Sequence, residues 1–224
     1  MMSTPPPRVA VLASGRGSNL AALLDARARG ELAVEFVLVG SDKADAGALR
    51  LAEAANIPTL ALDPRSYPDR PAFDRDLFAR IAASGAQWLV LAGYMRIIDG
   101  AALAPWVGRM INIHPSLLPK YPGLHTHRRA LRAGDREHGA SVHFVTAELD
   151  GGPLIAQARI AVGADDSEEA LAQRLLPLEH RLLPAVLNLL AVGRLQWRDD
   201  APQLDGRPLL APLLLAERGL QAAE

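Results

Sequence analysis

The sequence contains no cysteine among its 224 residues. This absence excludes a disulfide framework and a thiolate nucleophile, because both need a cysteine side chain. The sequence also lacks an apolar signal region and an uninterrupted apolar run of about 20 residues, the length that a membrane-spanning helix requires. We therefore expect a cytoplasmic protein that does not associate with a membrane.

The sequence has no excess of charge of either sign. Its formal net charge is −1 and its pI is about 6.6, and like charges form no run. Proteins that bind nucleic acids or membrane surfaces usually carry a basic patch. We expect small-molecule substrates instead, and no nucleic-acid partner.

The length favours one domain, since domains commonly contain about 100 to 200 residues. Half of the residues are hydrophobic, which is enough for one good core. We expect a single domain over residues 1–224, with a loose N-terminus over residues 1–7, that exists as a monomer or a homodimer.

The first half of the sequence alternates between short apolar runs and helical patterns. Strands are predicted at residues 8–13, 34–40, 59–62, 88–92 and 110–113. Leucines recur at helical spacing between the first two strands, and further helices are predicted at about 46–55 and 71–84. This alternation predicts an α/β fold with a Rossmann-like, mostly parallel sheet and helices on both faces.

After the last of these strands, the sequence no longer alternates between strand and helix patterns. Residues 141–162 contain two strand-like runs joined by the turn-rich sequence LDGG, which predicts an antiparallel C-terminal addition to the sheet. The tail after Gly193 is predicted to form a short strand, a turn at Asp205 and Gly206, and an apolar end.

A long helix is predicted from about residue 167 to residue 192, with Asp166 or Ser167 as its N-cap. Pro177 and Pro184 lie inside this segment. Because proline removes an intrahelical hydrogen bond, we expect the helix to be kinked or split.

A glycine loop, SGRGSN at residues 14–19, lies between the first strand and the first helix. Free N–H groups and the helix dipole make this position favourable for a phosphate. A dinucleotide fingerprint is the competing interpretation, but it would need glycine where Leu20 stands, although Asp42 could still bind a ribose. A plain strand-to-helix turn is the third possibility.

A polar pair lies at the end of the fifth predicted strand. Asn112 and His114 are two residues apart and should point to the same side, while Ile113 faces the core. Ligands of open α/β sheets bind beyond the carboxyl ends of strands, where the glycine loop also lies. Three prolines within residues 115–122 prevent a helix or central strand there, so we expect a loop over residues 116–137 that covers the cleft.

These residue types suit acyl transfer. The amide of Asn112 is a fixed donor for an oxyanion, and the imidazole of His114 exchanges protons near neutral pH. Asp150, in the sequence LDGG, is the best candidate to orient the imidazole. Ordinary roles remain open for all three: a turn histidine before proline, an amide that satisfies strand-end backbone, and an Asp-Gly turn.

The other histidines are possible metal ligands. His125 and His127 form an H-x-H pair to which His138 or His143 could be added, but no acidic or cysteine ligand completes a tetrahedral site. We therefore expect no metal. His143 lies on a predicted strand and can face the cleft, and His180 is expected to provide ordinary helical polarity.

Six segments, in this order and at these separations, resemble the phosphoribosylglycinamide formyltransferases of purine biosynthesis: GRGSNL, SDKADA, LAGYMRII, NIHPSLLPKYPG, HGASVHFVTAELDGGP and LEH. The resemblance covers about residues 8–200, and the combination is specific although no single segment is. It implies transfer of the formyl group of 10-formyltetrahydrofolate to the amine of glycinamide ribonucleotide, without a metal.

The resemblance also implies roles for individual residues. The ribonucleotide phosphate would bind Gly17, Ser18 and Asn19 within residues 8–100, and Glu179 would reach the sugar hydroxyls. Residues 101–200 would form the folate-binding and catalytic half. The implied folate site consists of Arg70, Met95, Arg96, Ile97, Ile98, Asn112, Ala147, Glu148, Leu149 and Asp150.

Within that implied site, Arg70 would face the carboxylate tail of the folate and the other residues its pterin head. The resemblance makes Asn112, His114 and Asp150 the catalytic group. Asn112 and protonated His114 would stabilise the tetrahedral oxyanion, and Asp150 would support the imidazolium.

Other functions share parts of this pattern. The HPSLLP sequence also occurs in methionyl-tRNA formyltransferase and formyltetrahydrofolate hydrolase, but we expect those enzymes to carry an extra domain for which 224 residues leave no room. A non-catalytic nucleotide-binding module would use only the glycine loop. The sequence departs from the family at Arg16, where a smaller or uncharged residue is common, and at Asp42, which replaces a common asparagine.

Overall fold

The computed structural model describes residues 5–222 of the chain. Its strands are β1 (Arg8–Leu12), β2 (Glu35–Ser41), β3 (Thr59–Ala61), β4 (Trp88–Leu91), β5 (Met110–His114), β6 (Glu137–Phe144), β7 (Leu154–Ala161), β8 (Leu195–Arg198), β9 (Ala201–Leu204), β10 (Arg207–Pro208), β11 (Leu213–Ala216) and β12 (Gly219–Gln221). Its helices are α1 (Ser18–Ala28), α2 (Gly47–Ala54), α3 (Arg70–Ala83), α4 (Gly100–Leu103), α5 (Thr126–Ala133) and α6 (Glu168–Ala191).

Nine of these strands form one sheet, in the order β12-β11-β7-β6-β5-β4-β1-β2-β3. Strands β1 to β5 pair only in parallel with one another, whereas β6 is antiparallel to both β5 and β7. Strand β5 is therefore the boundary between a parallel half and an antiparallel addition. This arrangement confirms the predicted mostly parallel sheet with helices on both faces and an antiparallel addition.

The sheet has a core on each face, because successive side chains of a strand point in opposite directions. On β1, Val9 and Val11 pack into the core that includes α1, α2 and α6, whereas Ala10 and Leu12 pack into the core that includes α3 and α4. Ile113 of β5 is buried in the first core, as predicted. Strands β1, β2, β4 and β5 are thus largely buried on both sides, which explains their apolar sequences, whereas the edge strand β3 is partly exposed.

The first five strands and the helices α2 and α3 lie within two residues of their predicted bounds. The predicted helix at 71–84 is observed at Arg70–Ala83, and Gly85 follows it with a φ of 73°. The prediction of a loose N-terminus concerns residues 1–7, of which residues 1–4 lie outside the described residues.

The long helix was predicted to be kinked or split at its two prolines, and the prediction of a split is wrong. Residues Glu168–Ala191 form one continuous α6, with Pro177 and Pro184 inside it, and Ser167 caps it by accepting a hydrogen bond from Ala170 N–H. The helix persists because its stability comes mainly from tertiary packing. Leucines on both sides of each proline are fully buried in the core.

The prediction that residues 116–137 form only a loop is also wrong. Helix α5 occupies Thr126–Ala133 in the second part of this segment. The prolines end at Pro122, and the helix stops at Gly134, whose φ of 67° is the left-handed conformation that commonly terminates helices. The prolines therefore restrict only the first part of the segment.

The C-terminal tail extends the main sheet, which its sequence does not indicate. Strand β11 pairs with β7 through only two residue pairs, and β12 pairs with β11. The predicted turn at Asp205 and Gly206 joins β9 to β10 in a separate sheet of β8, β9 and β10. Pairing over such short segments depends on the surrounding structure rather than on local pattern.

No helix described by the structure combines the length and the hydropathy that crossing a membrane would require.

Strands β6 and β7 are closely packed, and a substitution between them can test this packing. A methyl group added to Gly139 of β6 would lie 2.0 Å from the carbonyl oxygen of Ala158 on β7. Because that oxygen belongs to the backbone, the strands would have to separate. We expect Gly139→Ala to lower the free energy of unfolding by about 3 kcal/mol, at the upper end of the range for overpacking, as measured by urea denaturation.

Gly100→Ala is the matched control, since nothing lies within 4 Å of a methyl group added there at the start of α4. It should leave the free energy of unfolding unchanged or raise it by up to about 1 kcal/mol. An equal loss of stability in the two variants would contradict the close packing of β6 on β7.

Candidate active site

The candidate site lies at the carboxyl ends of neighbouring parallel strands. β1 ends before the glycine loop, β4 before Gly93, and β5 at His114. Ser14 N–H donates to the carbonyl oxygen of Gly93 at 3.0 Å, and Met95 N–H donates to Ser14 Oγ at 2.9 Å. These bonds tie the glycine loop to the segment after β4. The topology therefore brings together segments that are far apart in sequence.

The Asp150 carboxylate is at the centre of the predicted catalytic group. Its Oδ2 accepts a hydrogen bond from Gly123 N–H at 2.8 Å and lies 3.5 Å from His114 Nδ1. Its Oδ1 lies 3.4 Å from Asn112 Nδ2 and 3.6 Å from His143 Nε2. The structure thus brings Asn112, His114 and Asp150 together, and it adds His143 beside them.

The amide of Asn112 has a defined orientation. Strand pairing sets Asn112 opposite His143, and Asn112 Nδ2 lies 3.1 Å from His143 Nε2. His143 Nδ1 must carry its proton, because it faces the carbonyl oxygen of Phe144 at 2.8 Å. His143 Nε2 therefore accepts one amide hydrogen of Asn112. The second amide hydrogen is directed to the longer Asp150 contact and is the one available to an oxyanion.

The imidazole of His114 has a defined tautomer. Its Nε2 lies 2.9 Å from the carbonyl oxygen of Tyr121, which can only accept, so Nε2 carries a proton. Nδ1 then faces Asp150 and is the nitrogen that gains or loses a proton. This assignment follows from the chemistry of the two partners.

Burial and charge act in opposite directions on these groups. Burial lowers the pKa of His114 below 6.5, although the Tyr121 carbonyl and the Asp150 carboxylate both favour its charged form. Burial alone would raise the pKa of Asp150, but the hydrogen bond from Gly123 N–H and the neighbouring His114 imidazole oppose this effect, and that pKa lies below its usual value. Near pH 7, Asp150 is therefore ionised and His114 is mainly neutral.

Three residues around the site adopt left-handed backbone conformations. Tyr121, His125 and Asp150 have φ values of 59°, 60° and 52°. Such conformations cost energy in residues other than glycine and persist where neighbouring contacts hold them. At Asp150 this conformation occurs in the turn after β6, where the carboxylate points between Asn112 and His114.

Two cavities meet at Asn112 and Asp150. The larger, of about 450 Å³, extends past His114 to the start of α5, and the smaller, of about 100 Å³, extends between the segments after β4 and β6. Both are lined by Tyr94, Arg96 and Ile97 as well. The amide and the carboxylate therefore face both spaces at once.

Most predicted folate-site residues line these cavities. Met95, Arg96, Ile97, Leu149, Asn112 and Asp150 line the larger one, and Ile98, Ala147 and Glu148 the smaller one. Arg70 does not line either. It is exposed at the start of α3, and its charge acts on Asp74, a buried residue of the same helix.

The predicted phosphate site is built from the turn into α1. Gly17 has a φ of 83°, and a methyl group there would lie 2.7 Å from Cα of Ala48, so glycine is required. The N–H groups of Ser18, Asn19 and Leu20 have no intrahelical partner, as at any helix N-terminus. The groups that the sequence predicted to bind an anion therefore have no partner within the helix.

Asn19 links this turn to the long helix. Its Nδ2 donates to Glu179 Oε2 at 3.0 Å, and its own Oδ1 is buried without a hydrogen-bond partner within residues 5–222. Burial raises the pKa of Glu179, and Asn19 opposes the rise. The four predicted ribonucleotide residues lie together, but they do not line the two cavities. Strand β1, which leads into their loop, is about 10 Å from β5, since β4 lies between the two strands and adjacent strands are spaced by about 4.8 Å.

The remaining candidates have separate positions. Arg16 is exposed in the glycine loop, and Asp42, just after β2, has a buried Oδ1 without a partner among the described residues. His138 Nε2 contacts His127 Nδ1 at 3.0 Å, and burial together with His127 lowers the pKa of His138 to about 4. Within residues 5–222, no three histidine, aspartate or glutamate side chains converge as a metal site would require.

Several groups at the site escaped prediction from the sequence. The Tyr121 carbonyl and the Gly123 N–H are backbone groups, for which no residue type gives a signal. His143 was predicted only to be able to face the cleft, and its contact with Asn112 depends on the strand register. Tyr94 lies in a buried position lining both cavities, where a sequence pattern shows only an apolar neighbourhood.

Comparison with known proteins gives a consistent assignment. The family described as formyl transferase matches residues 7–187. A phosphoribosylglycinamide formyltransferase of Escherichia coli is 48% identical over 201 residues, a match that covers 90% of this chain and 95% of that protein.

Solved structures agree with the sequence matches. The phosphoribosylglycinamide formyltransferase of Coxiella burnetii has a TM-score of 0.87 and 47% identity, with 91% of this chain and 96% of that chain covered. A formyltetrahydrofolate deformylase of Pseudomonas syringae has a TM-score of 0.79 and 29% identity, with 88% of this chain and 65% of that chain covered.

The carboxylate of Asp150 can be tested as the group that favours the charged form of His114. Asp150→Asn removes a charge 3.5 Å from Nδ1, so we expect the pKa of His114 to fall below its value in the unmodified protein. An NMR titration of the histidine resonances measures this change.

Asp25→Asn is the matched control, because Asp25 acts on His180 and not on His114. It should lower the pKa of His180 and leave that of His114 unchanged. An unchanged His114 pKa in Asp150→Asn would mean that the carboxylate does not act on the imidazole.

Proposed function

The chain belongs to the formyl transferase family, and we propose that it transfers the formyl group of 10-formyltetrahydrofolate to the amine of N1-(5-phosphoribosyl)glycinamide in purine biosynthesis. The observation that carries this proposal is the convergence of Asn112, His114 and Asp150 where two cavities meet. An oxyanion donor, a proton-exchanging group and its charged partner are the components that acyl transfer needs.

The acceptor binds at the glycine loop. The free N–H groups at the start of α1 hold the phosphate, and Gly17 allows the backbone to approach it closely. Glu179, held by Asn19, accepts hydrogen bonds from the ribose hydroxyls. From this loop at the end of β1, the glycinamide arm reaches past the end of β4 toward Asn112 and His114.

The folate donor occupies the space between the segments after β4 and β6. The pterin head lies against Met95, Arg96, Ile97 and Ile98 on one side and residues 147–150 on the other. The apolar side chains cover the ring faces. Arg70 is exposed outside the cavities, where it meets the carboxylate tail of the donor.

The reaction moves one proton from the acceptor to the donor. The acceptor amine attacks the formyl carbon, and Asn112 donates a hydrogen bond to the oxyanion that forms. Neutral His114 takes the amine proton at Nδ1, and the imidazolium is stabilised by ionised Asp150. The C–N bond to the folate then breaks, and the same proton goes to the departing folate nitrogen.

Each half of the domain binds mainly one of the two substrates. Residues 8–100 bind the ribonucleotide phosphate, and residues 101–200 carry the catalytic group and much of the folate site. The division is not strict, because Met95–Ile98 belongs to the folate site and Glu179 to the ribonucleotide site. We propose a single domain that acts as a monomer or homodimer without a metal.

Hydrolysis of the donor is the second candidate function. The likeness to a formyltetrahydrofolate deformylase favours it, since the same three side chains could direct a water molecule at the formyl carbon. The two functions differ in whether the acceptor is needed.

The first test therefore measures the need for an acceptor. The protein is mixed with 10-formyltetrahydrofolate, with and without glycinamide ribonucleotide, and release of tetrahydrofolate is followed. We expect release only when the ribonucleotide is present. Equal release without it would identify a hydrolase and overturn the proposed transfer.

The second test removes single catalytic groups. Asn112→Ala or His114→Ala should lower turnover by about 10² to 10³, because each removes a group that stabilises the oxyanion or moves the proton. Thermal unfolding should remain cooperative in both variants. Asn188→Ala, a change on α6 away from these residues, is the control and should keep normal turnover. Near-normal turnover in either active-site variant would refute its role.

A further inference from the structure

A chain of buried hydrogen bonds lies beneath the segment that follows His114. Its members are Ser116 and Ser141, neither exposed to solvent, and Gln157, only 4% exposed. Buried polar side chains cost stability unless they are hydrogen-bonded, so a satisfied buried network specifies one arrangement of the segments that it joins.

Ser141 ties strand β6 to this segment. The strand register sets Ser141 opposite His114. Its Oγ accepts hydrogen bonds from Leu118 N–H at 3.1 Å and from Gln157 Nε2 at 3.0 Å, and it donates to the carbonyl oxygen of Ser116 at 2.7 Å. One hydroxyl therefore binds the backbone of both Ser116 and Leu118 in the turn after β5.

Ser116 carries the connection to the next turn. Its Oγ donates to the carbonyl oxygen of Lys120 at 2.6 Å and lies 3.4 Å from that of Tyr121. The Tyr121 carbonyl accepts the hydrogen bond from His114 Nε2. The network thus ends on the backbone group that determines the tautomer of His114.

Tyr121 needs this support because its backbone is strained. Its φ of 59° is a rare conformation for a bulky residue. On the outer side, its hydroxyl donates to Asp135 Oδ2 at 2.8 Å, and the guanidinium of Arg129 lies 5.1 Å from its ring centre. Contacts on both sides therefore hold the carbonyl toward His114.

We propose that Ser116 and Ser141 are positioning residues that keep the proton of neutral His114 on Nε2 and leave Nδ1 as its proton-exchanging atom. Without the Ser116 hydroxyl, the strained Tyr121 turn can relax and its carbonyl can leave Nε2. His114 could then place its proton on either nitrogen. The catalytic consequence of this proposal rests on the proposed function, but the tautomer itself does not.

Other charged or titratable groups also face His114. Asp150 approaches it from the turn after β6, His143 from β6, Arg129 and His127 from α5, and His138 from the start of β6. None of them changes in the serine variants. Because the Tyr121 hydrogen bond favours the charged imidazole, its loss should lower the pKa of His114.

The test reads the tautomer directly. Protein labelled with 15N-histidine is studied by NMR above the pKa of His114, and the His114 signals are assigned from the spectrum of His114→Ala. The unmodified protein should show a proton on Nε2 and none on Nδ1. Ser116→Ala should show both nitrogens partly protonated, and Ser141→Ala serves as the second variant with the same expectation.

Kinetics give the catalytic consequence. We expect Ser116→Ala to lower kcat about tenfold, the effect of losing one oriented hydrogen bond, with KM for both substrates within about twofold. The acid limb of the kcat–pH profile should move to lower pH. Ser84→Ala is the control, since Ser84 donates an equally short hydrogen bond, 2.6 Å, to Ile81 at the far end of α3.

Two results would overturn the proposal. One is a single Nε2 tautomer retained in every serine variant that folds. The other is a fall in kcat without any change in the tautomer, which would indicate a merely structural role. Failure of the proposed function alone would look different: the NMR changes would appear in a protein that releases no tetrahydrofolate.

Discussion

The candidate site depends on one carboxylate. Asp150 is ionised although its side chain is only 9% exposed, and each of its oxygens serves a different part of the site. Oδ2 accepts from Gly123 N–H and faces the proton-exchanging nitrogen of His114, and Oδ1 faces Asn112 and His143. A buried charge is tolerated only where several partners compensate for lost water. The surrounding turns are therefore folded around this carboxylate, which explains why Asp150 itself adopts a left-handed conformation.

The sheet brings these partners together. Strand β5 ends the parallel run of β1 to β5 and pairs on its other side with the antiparallel β6, so segments of the candidate site reach it from both sides. From the parallel side come the glycine loop and the segment after β4. From the antiparallel side come His143, Ser141 and the turn that contains Asp150. An open parallel sheet alone would supply the first set only, and the antiparallel addition is therefore part of the site rather than an extension of the core.

The secondary-structure predictions succeeded where local sequence decides the element and failed where tertiary packing decides it. Short strands and helices of the first half were located within two residues, because burial on both faces of a parallel sheet produces continuous apolar runs. Errors occurred where tertiary packing overrides local preference. Packing keeps α6 continuous through Pro177 and Pro184, and α5 forms where the prolines end. The two-residue contact of β11 with β7 has no local signal at all.

The sequence by itself determined the residue types of the site and the edge of the sheet at which they lie. Strand alternation was enough to put Asn112 and His114 on one side, and the glycine loop was enough to indicate an anion site, because both depend on local backbone geometry. Only the tertiary structure decided the protonation of these groups. The tautomer of His114 depends on the Tyr121 carbonyl, the amide orientation of Asn112 depends on His143, and the charge of Asp150 depends on Gly123 N–H. These are contacts between segments that only folding brings together, and proton positions respond to such contacts rather than to residue type.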